Sequence, residues 1–216
     1  MRSLIIIDNF YSDPHAVREL AIQTSYIDVR RLNYPGLQSD HSFYDQHIIK
    51  KFQEAIGEEI DNDVESFTFG KFRFMSEESG SRIKIHVDGL TEWTGLVYLN
   101  TPPQCEGGTS FYKHKTTGLE GPPPAEEMHR YGFASALDFE RKIIERQSLD
   151  LNCWTETMFV GMKFNRLVLF RGNDLFHCHT HGFGTNRENS RLTQNFFFNT
   201  KNKSRIKTSI YREALK

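Results

Sequence analysis

The sequence has little that could cross-link it covalently and no segment long enough to anchor it in a bilayer. Its 216 residues include three cysteines, Cys105, Cys153 and Cys178. They show no CxxC spacing and supply no disulfide framework, which points to a reducing compartment. No apolar run approaches the ~20 residues of a membrane-spanning helix. The early run Leu4 to Ile7 is cut by Asp8 and lacks the cleavage pattern of a secretory leader. Charge of one sign is missing too: 27 basic and 28 acidic side chains leave a net charge of −1. Such a balance offers no basic stripe for a phosphate backbone, so nucleic acid is not an expected partner and no membrane is expected either. There is no internal repeat. The expectation is a soluble, cytoplasmic protein with one domain across residues 1–216.

What is abundant is phenylalanine, 18 residues, many at alternating positions that favour strands. Leu4 to Ile7 reads as a first strand. Asp13-Pro14 is a helix start, an Asp cap followed by Pro at the first helical position, with Val17, Leu20, Ala21 and Thr24 on one face. Asn33-Tyr34-Pro35-Gly36 reads as a loop. A second helix is expected from about Asp45 to Ile60, its stripe being Ile48, Ile49, Phe52, Ile56 and Ile60. The period then changes to two. Phe67 and Phe69 alternate, Gly70 breaks the phase, and Phe72 and Phe74 resume on the other parity, which suggests a bulge.

Further strands are expected at Arg82 to Asp88, Trp93 to Leu99, Thr109 to Tyr112, Thr157 to Val160, Arg166 to Phe170, Leu175 to Thr180 and Arg191 to Thr200. Between them, Lys113 to Asp150 reads as an insertion, with Gly121-Pro122-Pro123-Pro124 irregular and Ser135-x-x-Asp138 a capping box. The tail from Lys201 is basic and expected to be peripheral. Two helices followed by many short strands give an α+β class, mainly β, with a sandwich or double-sheet jelly roll as the architecture.

The chemistry-bearing residues begin with His86-Val87-Asp88. On a strand His86 and Asp88 leave one face while Ile83, Ile85 and Val87 take the other. With nine histidines and 28 acids in 216 residues, about one such His-x-acid match is expected by chance, so the motif alone proves nothing. Context raises it. A His-rich run, His177-Cys178-His179-Thr180-His181, offers three candidates for a second imidazole, and on a strand all three share a face. Two imidazoles and a carboxylate on a rigid sheet make the facial triad of a non-haem Fe(II) site. Zinc held by the three neighbouring histidines themselves is disfavoured, because they would fan apart along one strand. Arg191, Thr193 and Asn195 share a face of the last strand. A buried Arg191 needs a partner, which a bound carboxylate could supply, with the Thr193 hydroxyl beside it. Tyr98 and Thr94 alternate on the strand after Asp88 and could line the same cavity.

The order of these pieces resembles the Fe(II)/2-oxoglutarate-dependent dioxygenases, in their prolyl-hydroxylase-like branch. The matching pieces are His86-x-Asp88, Tyr98-Leu99-Asn100, Gly107-Gly108-Thr109-Ser110-Phe111, Asn165 to Phe170, Phe176-His177 and Arg191-Leu192-Thr193. The opening Asp8-Asn9-Phe10-Tyr11-Ser12-Asp13-Pro14 with Val17-Arg18 is similar to a small uncharacterised bacterial and phage subgroup. The core likeness spans residues 82 to 199. It implies a double-stranded β-helix (jelly roll) with N-terminal helices packed outside. It also implies iron on His86, Asp88 and a distal histidine, and His177 fits because the distal ligand in that subgroup follows Leu-Phe. By the same resemblance Arg191 would bind the distal carboxylate of 2-oxoglutarate, with Thr193 assisting; Tyr98, from its place on the strand, could donate to the co-substrate. The activity implied is hydroxylation of a C–H bond in a small-molecule, amino-acid or peptidyl substrate, consuming O2 and releasing succinate and CO2. The insertion 113–150 has no counterpart and would serve as a lid. Competing expectations are a metal-binding cupin-like jelly roll that uses no 2-oxoglutarate, a nucleic-acid demethylase, which the neutral charge disfavours, and a non-catalytic interaction module.

Overall fold

The computed structural model describes residues 4–29, 36–79 and 84–201. The expected loop at Asn33-Tyr34-Pro35, the strand opening at Arg82 and Ile83, and the tail beyond residue 201 lie outside them. The described chain is mixed α and β, with two antiparallel sheets.

Ten strands are described. They are β1 (Leu4–Ile7), β2 (Tyr26–Asp28), β3 (Leu37–Ser39), β4 (Phe69–Met75), β5 (Trp93–Tyr98), β6 (Gly108–His114), β7 (Trp154–Gly161), β8 (Leu167–Phe170), β9 (His177–His179) and β10 (Arg191–Phe198). The larger sheet has the order β1-β8-β5-β10-β4-β3-β2, the smaller β7-β6-β9. Helices α1 (Pro14–Gln23) and α2 (Gln46–Ile56) cover one face of the larger sheet, and the smaller sheet covers part of the other.

Local chemistry sets the helix limits. Asp13 accepts a hydrogen bond from the Ala16 N–H at 3.0 Å and Pro14 opens α1; Asp45 accepts from Ile48 N–H at 2.9 Å and opens α2. Helix α2 ends at Gly57 (φ 73°), short of the expected Ile60, because a left-handed residue there turns the chain away. Its stripe, Ile48 and Phe52 buried with Ile49 and Ile56 partly so, packs on β4, β5 and β10. Phe52 is fully buried against Phe69, Phe196 and Phe198, and Gly95 lies beneath it because a Cβ there would come within 3.0 Å of the ring. Truncating Phe52 to Ala would cost about 3–5 kcal/mol. In α1 the expected face is altered. Leu20 is exposed and Arg18 is buried, donating to the carbonyls of Leu99 (2.8 Å) and Glu188 (2.5 Å). Two backbone acceptors compensate its desolvation and pin the helix to the end of β5.

The phase break at Gly70 is a bulge. Asn195 pairs with Lys71 and Phe196 with Phe69, so Gly70 (φ 78°) is the extra residue, and Phe69, Phe72 and Phe74 all reach the helix-facing core. Across β5, β8 and β10 the faces divide cleanly. Val97, Leu99, Leu167, Leu169, Leu192 and Phe196 meet the helices, whereas Leu96, Tyr98, Val168 and Phe170 meet Phe111 and Val160 of the smaller sheet.

The insertion folds onto the outer face of the smaller sheet. Ser135 accepts from the Asp138 N–H at 3.2 Å and opens α3 (Ala136–Phe139), which runs into a π-helical stretch, Glu140–Glu145. The Asp138 carboxylate returns to Ala134 N–H rather than to the cap residue, so the capping box is displaced by one position. Met128, Phe133, Phe139, Ile143 and Ile144 are buried against Tyr112, Trp154, Phe176 and Cys178. All three cysteines are free thiols. Among the described residues no helix is long and apolar enough to cross a membrane.

Candidate metal centre

The segment before Gly89 is not the strand its alternation suggests. Of residues 84–88, only His86 forms a bridge, an antiparallel one to His177. Each of the two donates its N–H to the other's carbonyl at 3.0 Å, while Asp88 N–H bonds Gly172 O at 2.8 Å and Ile85 N–H bonds Ser148 O at 3.0 Å. Three different elements hold this piece extended. Because residues opposite each other in an antiparallel pair share a face, the bridge sets the two imidazoles side by side, ring centroids 4.5 Å apart.

Asp88 joins them. His86 Nε2 lies 3.8 Å from Asp88 Oδ1, and His177 Nε2 lies 3.4 Å from Asp88 Oδ2. One ligand atom from each of the three falls within 4.8 Å of the others. The tautomers follow from the backbone. His86 Nδ1 is 2.8 Å from Lys84 O and His177 Nδ1 is 2.8 Å from Leu175 O. A carbonyl only accepts, so each Nδ1 carries the proton and each Nε2 keeps its lone pair. Two imidazole lone pairs and a carboxylate converge with no proton between them, an arrangement that calls for a cation. The carbonyl behind each ring is the outer support that metal-binding histidines use. Iron fits this donor set, which is the nitrogen–oxygen triad of non-haem Fe(II) sites.

The surroundings keep the three candidate side chains in a state that could bind a cation. Burial and the neighbouring His177 push the His86 imidazole down to about 4, against a smaller opposing pull from Asp88. Burial pushes the Asp88 carboxyl up, but His177, His86 and the Thr94 hydroxyl outweigh it and hold the group well below the usual carboxylate range. Thr94 donates to Asp88 Oδ2. His177 is walled by Phe170, ring centroids 4.6 Å apart, and by Phe111 at 6.4 Å. Gly172 completes the cradle: a Cβ there would collide with Thr94 Oγ1 and Asp88 Oδ2. In the sequence Gly172-Asn173-Asp174 is a turn signal, which says nothing about the site.

The remaining candidates separate by position. His179 follows His177 on the same face of β9, facing inward. His181 lies beyond the strand, half-exposed, paired with Glu106 at 2.7 Å. Arg191 is buried at the start of β10, its guanidinium 5.7 Å from the Tyr98 ring centroid and its Nε without a hydrogen-bond partner. Tyr98 is fully buried, and its hydroxyl is 2.8 Å from Thr109 Oγ1, a partner that sequence reasoning did not single out. Thr193 pairs with Tyr98 across the sheet but donates its hydroxyl to Asn195 Oδ1 at 2.7 Å. Arg191, Tyr98 and Thr193 therefore share the inner face, with the Thr193 proton committed elsewhere.

A model of a family of unknown function, DUF6445, matches residues 1–198. No curated protein matches. Among solved structures, IDO from Bacillus thuringiensis is 13% identical with TM-score 0.48, covering 93% of this chain and 91% of that one. HygX from Streptomyces hygroscopicus, solved with iron bound, is 13% identical with TM-score 0.46, covering 92% and 83%. A prolyl-4-hydroxylase from Pseudomonas putida is 11% identical with TM-score 0.44, covering 93% and 94%.

Proposed function

The chain belongs to the DUF6445 family, and we propose that it is an Fe(II)- and 2-oxoglutarate-dependent oxygenase that hydroxylates a C–H bond of a small-molecule, amino-acid or peptidyl substrate. The observation that carries this reading is the convergence of His86 Nε2, Asp88 and His177 Nε2 on one point, with both Nδ1 protons directed away to carbonyls. Arg191 supports it as a buried cation with an unpartnered Nε on the same inner face.

In this reading the two sheets form a single jelly-roll domain, and His86, Asp88 and His177 hold the iron. When bound, iron with 2-oxoglutarate and O2 supplies the oxidising power for C–H hydroxylation, releasing succinate and CO2. The protein's own part is orientation and exclusion. The Thr94 hydroxyl and the Gly172 carbonyl fix Asp88 from the side chain and the backbone respectively. Phe170 and Phe111 keep water from the buried edge of His177. Arg191 meets the distal carboxylate of the co-substrate, and Tyr98, its hydroxyl held by Thr109, lies beneath the guanidinium. Thr193 orients this wall through Asn195. We read the 113–150 segment as a buttress rather than a lid, since its Met128, Phe133, Phe139, Ile143 and Ile144 are buried on the outer face of the smaller sheet.

The test is anaerobic titration of the Fe(II)-loaded protein with 2-oxoglutarate, following the visible metal-to-ligand charge-transfer band. A saturable band that weakens in Arg191→Ala is the expected result. Bound iron with no band would make the protein a metal-binding jelly roll of another kind, and absence of metal binding would remove the enzyme reading altogether.

A further inference from the structure

His179 is the one histidine of the 177–181 run that faces the interior without a role in the proposed iron site. It is two residues beyond His177 on β9, and successive strand residues alternate, so its ring points into the same space. Its partner across the pair is Thr109 of β6, the residue whose hydroxyl meets Tyr98. Tyr98 in turn lies under Arg191. His179, Thr109, Tyr98 and Arg191 thus line one continuous wall, running from the metal triad toward the start of β10.

Hydrogen-bonding capacity along this wall is unevenly used. Tyr98 and Thr109 satisfy each other. Thr193, the residue expected to help Arg191, donates its hydroxyl to Asn195 Oδ1 instead. Arg191 Nε has no partner. The His179 ring makes no hydrogen bond with any described residue, although it shares a face with His177 and stands opposite Thr109. An imidazole carries at least one N–H to donate in either charge state. A buried guanidinium with an unpartnered Nε and a half-buried imidazole with no hydrogen bond, on one wall, match an anion with more than one acceptor oxygen.

We propose that His179 is a second co-substrate-binding residue, donating a hydrogen bond to the distal carboxylate that Arg191 grips. This rests on the 2-oxoglutarate reading above. It assigns to His179 the donor role that the expected Arg-x-Thr pattern gives to Thr193, and it makes selectivity for a dicarboxylate a joint property of β9 and β10.

The experiment compares wild type, His179→Phe and His179→Gln as full-length Fe(II)-loaded proteins under anaerobic conditions. It measures Fe(II) affinity first, then binding of 2-oxoglutarate and of 2-oxobutyrate, which lacks the distal carboxylate. A hydrogen bond to a charged group corresponds to a roughly ten- to hundredfold change in affinity. His179→Phe is expected to weaken 2-oxoglutarate binding by about that factor and to leave Fe(II) and 2-oxobutyrate binding as in wild type. His179→Gln, which keeps a donor, should recover most of the loss. Should Phe not be tolerated in the fold, His179→Ala is compared with His179→Gln on the same readouts. Unchanged 2-oxoglutarate affinity in a donor-less variant that still binds iron overturns the assignment of His179 and leaves the oxygenase reading standing. Loss of Fe(II) binding in that variant overturns it as well, by making His179 a metal ligand. Failure of wild type to bind 2-oxoglutarate overturns the oxygenase reading itself, and His179 with it.

Discussion

Replacing Gly172 by Ala adds a single methyl group, and the structure places it against the site. A Cβ at that position would overlap Thr94 Oγ1 and Asp88 Oδ2 and would lie 3.1 Å from Asp88 Cβ. The backbone cannot move away freely, because Gly172 O accepts the Asp88 N–H at 2.8 Å. The groups that can move are the Asp88 carboxylate and the Thr94 hydroxyl, so relief comes from rotating a proposed metal ligand out of line. Overpacking of this kind costs about 1–3 kcal/mol. For a chain of this size that is a fall of about 2–12 °C in melting temperature, at about 2–4 °C per kcal/mol. The larger effect falls on the metal. Disturbing the support of a ligand typically costs ~10- to 100-fold in affinity. Thermal melts with and without metal, together with Fe(II) titration against a chromophoric chelator, measure both. Gly161→Ala is the control, since a Cβ there meets only Phe159 at an ordinary 3.6 Å. A Gly172→Ala protein with wild-type Fe(II) affinity and wild-type melting temperature would refute the packing of Asp88 on Gly172.

Other expectations follow from the same structure. His86→Ala and His177→Ala should each abolish stoichiometric Fe(II) binding, whereas His181→Ala should keep it, since His181 pairs with Glu106 outside the triad; equilibrium metal titration of the three variants decides. Glu92 is buried and accepts from Arg171 Nη1 (3.2 Å), Thr200 N (2.9 Å) and Thr200 Oγ1 (2.8 Å). Removing one partner of such a pair costs about 3–5 kcal/mol, so Glu92→Ala should melt about 6–20 °C lower, and a shift under about 3 °C would contradict the geometry. Asp8 bonds Arg166 Nε at 2.6 Å and Lys163 Nζ at 2.7 Å, and the Arg166 hydrogen bond chiefly holds its carboxyl below the ordinary 3.8. A depressed carboxylate contributes stability above the unfolded value and loses it as pH falls below that value. The stability gap between wild type and Asp8→Asn should therefore be constant above about pH 5 and narrow steadily below about pH 4. A gap that widens with acidification would reverse the sign of the argument.

Much of the scaffold was readable because its signals are local. Asp13-Pro14 and Asp45 open helices through bonds to N–H groups three residues on, whatever the rest of the chain does. The parity change around Gly70 announced a bulge, since only an extra residue keeps Phe69 and Phe72 on one face. The strands β2 and β3, at three residues each, left no comparable pattern. Leu20 and Arg18 exchanged their expected burial because the carbonyls that accept from Arg18 come from residues 99 and 188, far along the chain.

Within the site the same division holds. Period-two alternation put His86 with Asp88, Arg191 with Thr193, and His177 with His179 and His181, because alternation depends only on the extended backbone of each segment. Among the three histidines the residues themselves left the choice open and only the resemblance favoured His177; what brings it beside His86 is the register of one bridge, set by hydrogen bonds between segments about 90 residues apart. Whether Arg191 was buried depended on β10 lying between β4 and β5, and the Thr193 hydroxyl's hydrogen bond to Asn195 depended on side-chain rotamers within that sheet. The amino-acid order by itself determined which side chains share a face. Only the tertiary structure decided which faces meet, since pairing and register are long-range choices among chemically equivalent partners.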